Sequence, residues 1–172
     1  MAAVLFRDRT VELEAWLERR RALDQDRFDE VWEGVYVVNP APDSGHGERV
    51  MAFGRAVGDA VTAAALALAD GANVGEPDDY RIPDVTVFDR RDRVGAFLRR
   101  AVVVAEIRSP REDVEAKLPF YLAHGVAEVV LIDRDARSLR WLVAGPDGWT
   151  EVDRSPALDL EVAEVVASLR WP

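Results

Sequence analysis

Asp84 opens the apolar segment PDVTVFD directly after Pro83, and Glu106 closes the apolar run AVVVAEI about twenty residues later. Both segments have strand character, so both carboxylates stand where a strand meets a loop. Side chains alternate along a strand, which puts Glu106 and Arg108 on the side of Val102 and Val104, with Val103, Ala105 and Ile107 on the other. Glu106 therefore leaves a hydrophobic face and needs water, a cation or a hydrogen-bond donor, because an isolated buried charge is costly. With Asp84 beside it on a neighbouring strand, the two acids repel unless one is protonated or a divalent cation bridges them.

A cation held there suits hydrolysis of a phosphodiester: it polarises a phosphoryl oxygen, lowers the pKa of bound water and stabilises the leaving oxygen. Lys117, in REDVEAKLPFYLAHG, is the natural third member. Helical spacing places it one turn from Asp113 and one turn from Tyr121, so the three share a face and the ammonium can meet developing phosphorane charge or orient water. Arg108 is a candidate phosphate contact but not a general base, because guanidinium stays protonated. The chain has no cysteine, so a metal must be held by oxygen or imidazole, and Mg²⁺ or Mn²⁺ is the expected cofactor.

The elements that position these residues follow from periodicity and punctuation. Thr10 can cap a helix through VELEAWLERRR that packs by Val11, Trp16 and Leu17, and RFDEVWEGVYVV has the pattern of a hairpin turning at Glu33-Gly34. After the loop NPAPDSGHG, apolar residues from Val50 to Leu68 recur at three and four, which predicts a helix from Glu48 to Ala69 ended by Gly71. Its Gly54 and Gly58 suggest close packing on a sheet. AVVVAEI is continuously apolar, as in a central strand covered on both faces. Ser109-Pro110 stops it, a helix begins near Arg111 with a kink or late start at Pro119, and Gly125 ends that helix. VVLID, SLRWLVA and WTEV are strands, and a closing helix covers Glu161 to Leu169.

The 172 residues fit one domain spanning 1–172. No apolar stretch is long enough to cross a membrane, the N-terminal run is broken at Arg7 and Asp8, and a cytoplasmic protein is expected. A net charge of −10 counts against binding nucleic acid through a broadly basic surface. The clusters Arg19-Arg20-Arg21, Arg90-Arg91-Asp92-Arg93 and Arg99-Arg100 read as solvated surface or helix ends.

PDVTVFD, VVVAEIRSP and DVEAKLPFYLAHGVAEVVLID together resemble the Uma-type restriction endonuclease family, a branch of the PD-(D/E)xK nucleases, and DEVWEGVYVVNPAP with the helix led by His46 resembles its N-terminal hairpin and first core helix. The resemblance implies an α/β restriction-endonuclease-like core, a central mixed β-sheet flanked by helices, with an N-terminal helix and β-hairpin. It also implies a Mg²⁺-dependent endonuclease acting on DNA, with Asp84 and Glu106 as metal ligands. The wider superfamily has lysine two positions after the second acid; here that position is Arg108, and the lysine of the Uma-type branch maps onto Lys117.

Plainer readings stand beside these. Asp84 alone is explained by backbone donors or an arginine, Lys117 by a structural ion pair with Asp113 or Glu106, and Tyr121 by packing with its hydroxyl at the pocket edge. Asp113 is a candidate for orienting Lys117. His46 is either a solvated loop residue or a phosphate or metal-water contact; Glu30 and Glu48 are weaker acidic candidates. His124 fits the carbonyls of a helix end. The tryptophans have no basic partners in phase and suggest core or interface. A homodimer suits cutting of two strands. The rival function is a catalytically silent or partner-dependent binding domain that keeps the nuclease fold, supported by the net acidity and Arg108.

Overall fold

The computed structural model of the protein describes residues 4–6, 10–109, 113–169 and 171. The strand stop at Pro110 and the helix start near Arg111 lie outside them.

Strand β1 (Val4–Phe6) precedes helix α1 (Val11–Ala22), where Thr10 accepts a hydrogen bond from the Leu13 amide at 3.2 Å. Its acids lie in the first turn and its arginines in the last, as the helix dipole favours. Leu17 is buried, but Trp16 and Val11 are exposed, contrary to expectation. The cause is charge at 12, 14 and 18–21, which leaves no continuous apolar stripe. Strands β2 (Glu30–Trp32) and β3 (Val35–Val38) form the expected hairpin, with Glu33 and Gly34 both left-handed at φ 49° and 81°, as a two-residue turn of matching twist requires.

Helix α2 (Ser44–Ala63) starts earlier and ends earlier than its periodicity predicts. Asp43 caps it, accepting from the His46 amide at 2.8 Å, and Ala65 turns left-handed at φ 58°. Strand β4 (Ala67–Ala69) then takes residues assigned to the helix from sequence. The pairing of β4 overrides alanine's helical preference, and Gly71 serves the next turn instead.

There follow β5 (Asn73–Glu76), β6 (Asp79–Arg81), β7 (Val85–Phe88), β8 (Arg93–Val94), β9 (Phe97–Leu98) and β10 (Val103–Ile107). A 3₁₀ turn, Val114–Lys117, leads into α3 (Leu118–Ala123), with Pro119 in the first turn where its missing N–H costs nothing. The late start expected from that proline is found. Gly125, at φ 67°, ends the helix, and β11 (Glu128–Asp133), β12 (Ser138–Gly145), β13 (Gly148–Glu151), β14 (Arg154–Ser155), β15 (Leu160–Glu161) and α4 (Val162–Ser168) complete the chain.

Among the described residues, β13-β12-β11-β10-β7-β4 form a mixed six-stranded sheet in which β10 and β11 are parallel and the other pairs antiparallel. One face carries Val103, Ala105, Ile107, Val130 and Trp141 against Phe53, Val57 and Val61 of α2 and Val165 of α4. The opposite face carries Val104, Val129 and Leu131 against Phe120 and Tyr121 of α3 and Val74 and Leu98 of a second sheet, β1-β3-β2-β6-β5-β9-β8. The core is thus the expected mixed sheet flanked by helices. The hairpin extends into a seven-stranded sheet that the sequence did not predict.

Candidate active site

β7 and β10 are antiparallel with Val85 opposite Ala105, so one further step along the register sets Asp84 against Glu106. The two acids meet as predicted, and each is held by named donors. Asp84 Oδ2 accepts from the Ile107 amide at 2.7 Å, closing the ladder at the end of β10, while Oδ1 lies 2.7 Å from His46 Nε2 in the first turn of α2. The Asp43 cap fixes the turn that presents the imidazole.

Glu106 projects from the α3 face of β10 and is 2% exposed. Lys117 Nζ is 3.1 Å from Glu106 Oε1 and 3.2 Å from Oε2, and the Tyr121 hydroxyl donates to Oε1. The same ammonium donates to Glu30 Oε1 at 3.1 Å. Glu30 is itself fixed on β2 by the Ile82 amide at 2.8 Å and by Trp32 Nε1 at 2.7 Å. Lys117 therefore bridges the two sheets. The depth is graded: the side chains of Glu30, Glu106 and Lys117 are at most 7% exposed, whereas those of His46 and Asp84 are 12% and 21% exposed.

Burial dominates the electrostatics. It pushes the Glu106 carboxyl up to about 8, opposed by Lys117 and the Tyr121 hydrogen bond and assisted by the charges of Asp84 and Glu30. Burial, then Glu106 itself, holds the Tyr121 phenol well above its ordinary value, so Tyr121 serves Glu106 as a neutral donor. Glu30 and Glu106 share one ammonium with Asp84 adjoining, and a divalent cation held by Asp84 and Glu106 would displace the proton that burial keeps on Glu106.

The donor set fits Mg²⁺ or Mn²⁺ in a particular way. Among the described residues no three His, Asp or Glu side chains form a ready metal cluster. Mg²⁺ takes one or two carboxylates and completes its shell with water and substrate phosphate, a demand that Asp84 and Glu106 can meet.

The match to known proteins follows the same residues. A family model described as Uma2, "putative restriction endonuclease", matches residues 12–171. The chain belongs to the Uma2 family. Uma2 membership covers the hairpin, α2, both carboxylate strands and α3 in one match. A crystal structure of a "putative nuclease belonging to DUF820" from Anabaena variabilis superposes with a TM-score of 0.66 at 18% identity, covering 82% of this chain and 90% of that one, which establishes a shared fold. No curated protein matches.

The remaining candidates divide clearly. His46 and Glu30, weak on sequence, are in the cluster. Tyr121 is buried with its hydroxyl on Glu106, deeper than the pocket edge expected for it. Asp113 is exposed ahead of the 3₁₀ turn and makes no side-chain cap, because the turn breaks the helical face that it was expected to share with Lys117. Arg108 points outward to Asp133 at 3.1 Å, beside Arg134 at the ends of β10 and β11. Glu48 is exposed and lines a groove of about 710 Å³ with Arg49, Arg55 and Ser168, apart from the carboxylates. His124 bonds the Phe120 carbonyl at 2.9 Å, as a helix-end histidine should. Two tryptophans do have cationic partners: Arg81 lies over Trp32 at 4.4 Å and Arg20 over Trp16 at 4.9 Å.

One signal was available in the sequence. Of 22 cationic side chains, Lys117 is the only lysine. A compact ammonium with three rotatable donors fits between two carboxylates where a planar guanidinium does not.

Proposed function

We propose that this Uma2 protein is a Mg²⁺- or Mn²⁺-dependent endonuclease that hydrolyses DNA phosphodiester bonds, with Asp84, Glu106 and Lys117 as its catalytic residues and residues 1–172 acting as one domain. The observation that carries the reading is the position of the sole lysine, buried between Glu30 and Glu106 behind an aspartate on the adjoining strand. Asp84 and Glu106 would hold the cation, which when bound polarises the phosphoryl oxygen and acidifies a coordinated water.

The chain's own groups supply the rest. Lys117, held between Glu30 and Glu106, offers positive charge to the pentavalent phosphorus. Tyr121 fixes Glu106 through Oε1, and His46 with the Ile107 amide fixes both oxygens of Asp84, so the ligands are oriented before substrate arrives. Arg108, half-exposed at the strand ends on Asp133, would exchange that partner for a phosphate oxygen. Two copies acting together would suit cleavage of both strands.

The test is nicking of supercoiled plasmid with Mg²⁺ or Mn²⁺. Cleavage should stop with chelator and fall by on the order of 100-fold or more in Asp84→Asn and Glu106→Gln. Equal cutting by Asp84→Asn, or none by the parent protein with either metal, would overturn the reading. One observation favours the alternative of a silent or partner-dependent binding domain: Lys117 and Tyr121 already satisfy Glu106. Calorimetry separates the two, because a silent domain would give no heat on titration with Mn²⁺ and no shift in melting temperature.

A further inference from the structure

The two arginine clusters that sequence assigned to ordinary surface become one structure in the fold. After β7 the chain makes a 3₁₀ turn at Arg90–Asp92 and then the hairpin β8–β9, in which Arg93 pairs with Leu98 and the Arg99 amide bonds the Asp92 carbonyl at 3.0 Å. Arg90, Arg91, Arg93, Arg99 and Arg100 are all exposed on this projection. Against them stand two acids: Asp89 holds Arg91, and Asp92 meets Arg100 at 3.4 Å. Residues 89–100 therefore carry a net +3 in a chain of −10.

In a protein so rich in acids, arginines that lack carboxylate partners are informative. Among the described residues, Arg90, Arg93 and Arg99 make no ion pair; Arg93 lies over the Phe88 ring at 5.4 Å, which steadies its stem and leaves the guanidinium edge available. The cluster at Arg19-Arg20-Arg21 behaves differently, with Arg20 on Asp29 at 2.8 Å and Arg21 on Asp26 at 3.9 Å. β8 is the edge strand of the second sheet, so Arg93 and the turn before it face solvent, and guanidinium matches phosphate geometry.

We propose that the β8–β9 hairpin with its preceding turn is a DNA-docking element that grips backbone phosphates flanking the cleavage site through Arg90, Arg93 and Arg99. This rests on the reading of the chain as a DNA endonuclease and adds to it the surface that an acidic protein needs. The hairpin leaves β7 at the end opposite Asp84, so at about 3.3 Å per residue its arginines stand roughly 15–20 Å from the carboxylates along the strands. That separation corresponds to about five base-pair steps of duplex, which makes the contact one with flanking DNA.

The experiment measures binding of the full chain to a short fluorescein-labelled DNA duplex by anisotropy, in chelator to prevent cutting, over a series of salt concentrations. The variant Arg90→Ala/Arg93→Ala/Arg99→Ala should lose affinity at least about tenfold and reduce the slope of log affinity against log salt by about 2–3. The lysine triple at the same positions should keep most of the slope, and a control triple, Arg19→Ala/Arg27→Ala/Arg55→Ala, should bind like the parent. The proposal is overturned if the alanine triple binds like the parent, if the control loses as much, or if the lysine triple fails alongside the alanine triple. A fall in sedimentation mass with unchanged DNA binding would also overturn it, in favour of docking to an acidic second copy. If the parent cuts plasmid and the alanine triple binds normally, the hairpin assignment alone fails. If the parent neither binds nor cuts, the endonuclease reading fails with it.

Discussion

Lys117 sits where charge and size are both constrained. Its ammonium contacts Glu30 and Glu106 within about one hydrogen-bond length of each, and both carboxylates are already engaged by other donors. Substituting arginine keeps the charge but forces a broader head into the space, so Lys117→Arg should destabilise by about 1–3 kcal/mol and abolish cutting. Lys117→Ala should cost more, about 3–5 kcal/mol, because two buried carboxylates lose their cation. Urea unfolding of both variants tests this ordering, and an alanine variant as stable as the parent would contradict the bridge. Glu106 makes a separate prediction. Its carboxyl titrates near 4.5 ordinarily and near 8 in the fold, so the native state keeps a proton that the unfolded chain gives up. The associated stability is complete below about 4.5, declines as pH rises and is lost through about 8. The melting temperature of metal-free protein should fall over that range, and Glu106→Gln should flatten the fall. A Glu106→Gln profile parallel to the parent's would show that other groups control it.

At the scale of elements, the site depends on turns as much as on strands. Gly75, at φ +116°, lies where an added Cβ would come within 2.4 Å of the Asp79 carbonyl and 2.9 Å of Phe120. Gly75→Ala should therefore cost about 2–4 kcal/mol, whereas Gly34→Ala, with open space around it, should cost about 1 kcal/mol. Thermal unfolding of the pair measures the contrast. Asp43→Ala removes the cap that orients His46 and should cost about 1 kcal/mol while reducing activity more than stability. The strand bearing Glu106 was legible as an unbroken apolar run, and the one after Asp84 through its β-branched Val85-Thr86-Val87. The C-terminus of α2 was not: its periodic apolar residues continue into β4, and nothing local tells a strand-pairing Ala-Leu-Ala from one more helical turn. Asp113 is the complementary case, because ideal helical spacing does not hold where the segment before Pro119 runs as a 3₁₀ turn.

Across the whole molecule, what sequence left open was which distant residues meet. Glu30 looked like one acid in a hairpin and His46 like a loop histidine; Glu30 reaches Lys117 only because one sheet packs on the α3 face of the other, and His46 reaches Asp84 only because α2 brings its first turn to the start of β7. The charge left by that packing predicts linkage to metal: Mn²⁺ should raise the melting temperature more near pH 8 than near pH 5, where protonation of Glu106 competes for the ligand (both values about those of its titration range). Differential scanning fluorimetry at the two pH values checks this, and an equal shift at both would remove Glu106 from the ligand set.

The bond between Lys117 and Glu30 spans 87 positions of chain. During synthesis, Glu30, His46 and Asp84 all emerge before the lysine exists, and strand β11, the parallel partner of the Glu106 strand, comes later still. A nascent or prematurely terminated chain would therefore carry the acids without the cation, and the proposed cutting activity would be withheld from ribosome-bound fragments until folding is nearly finished.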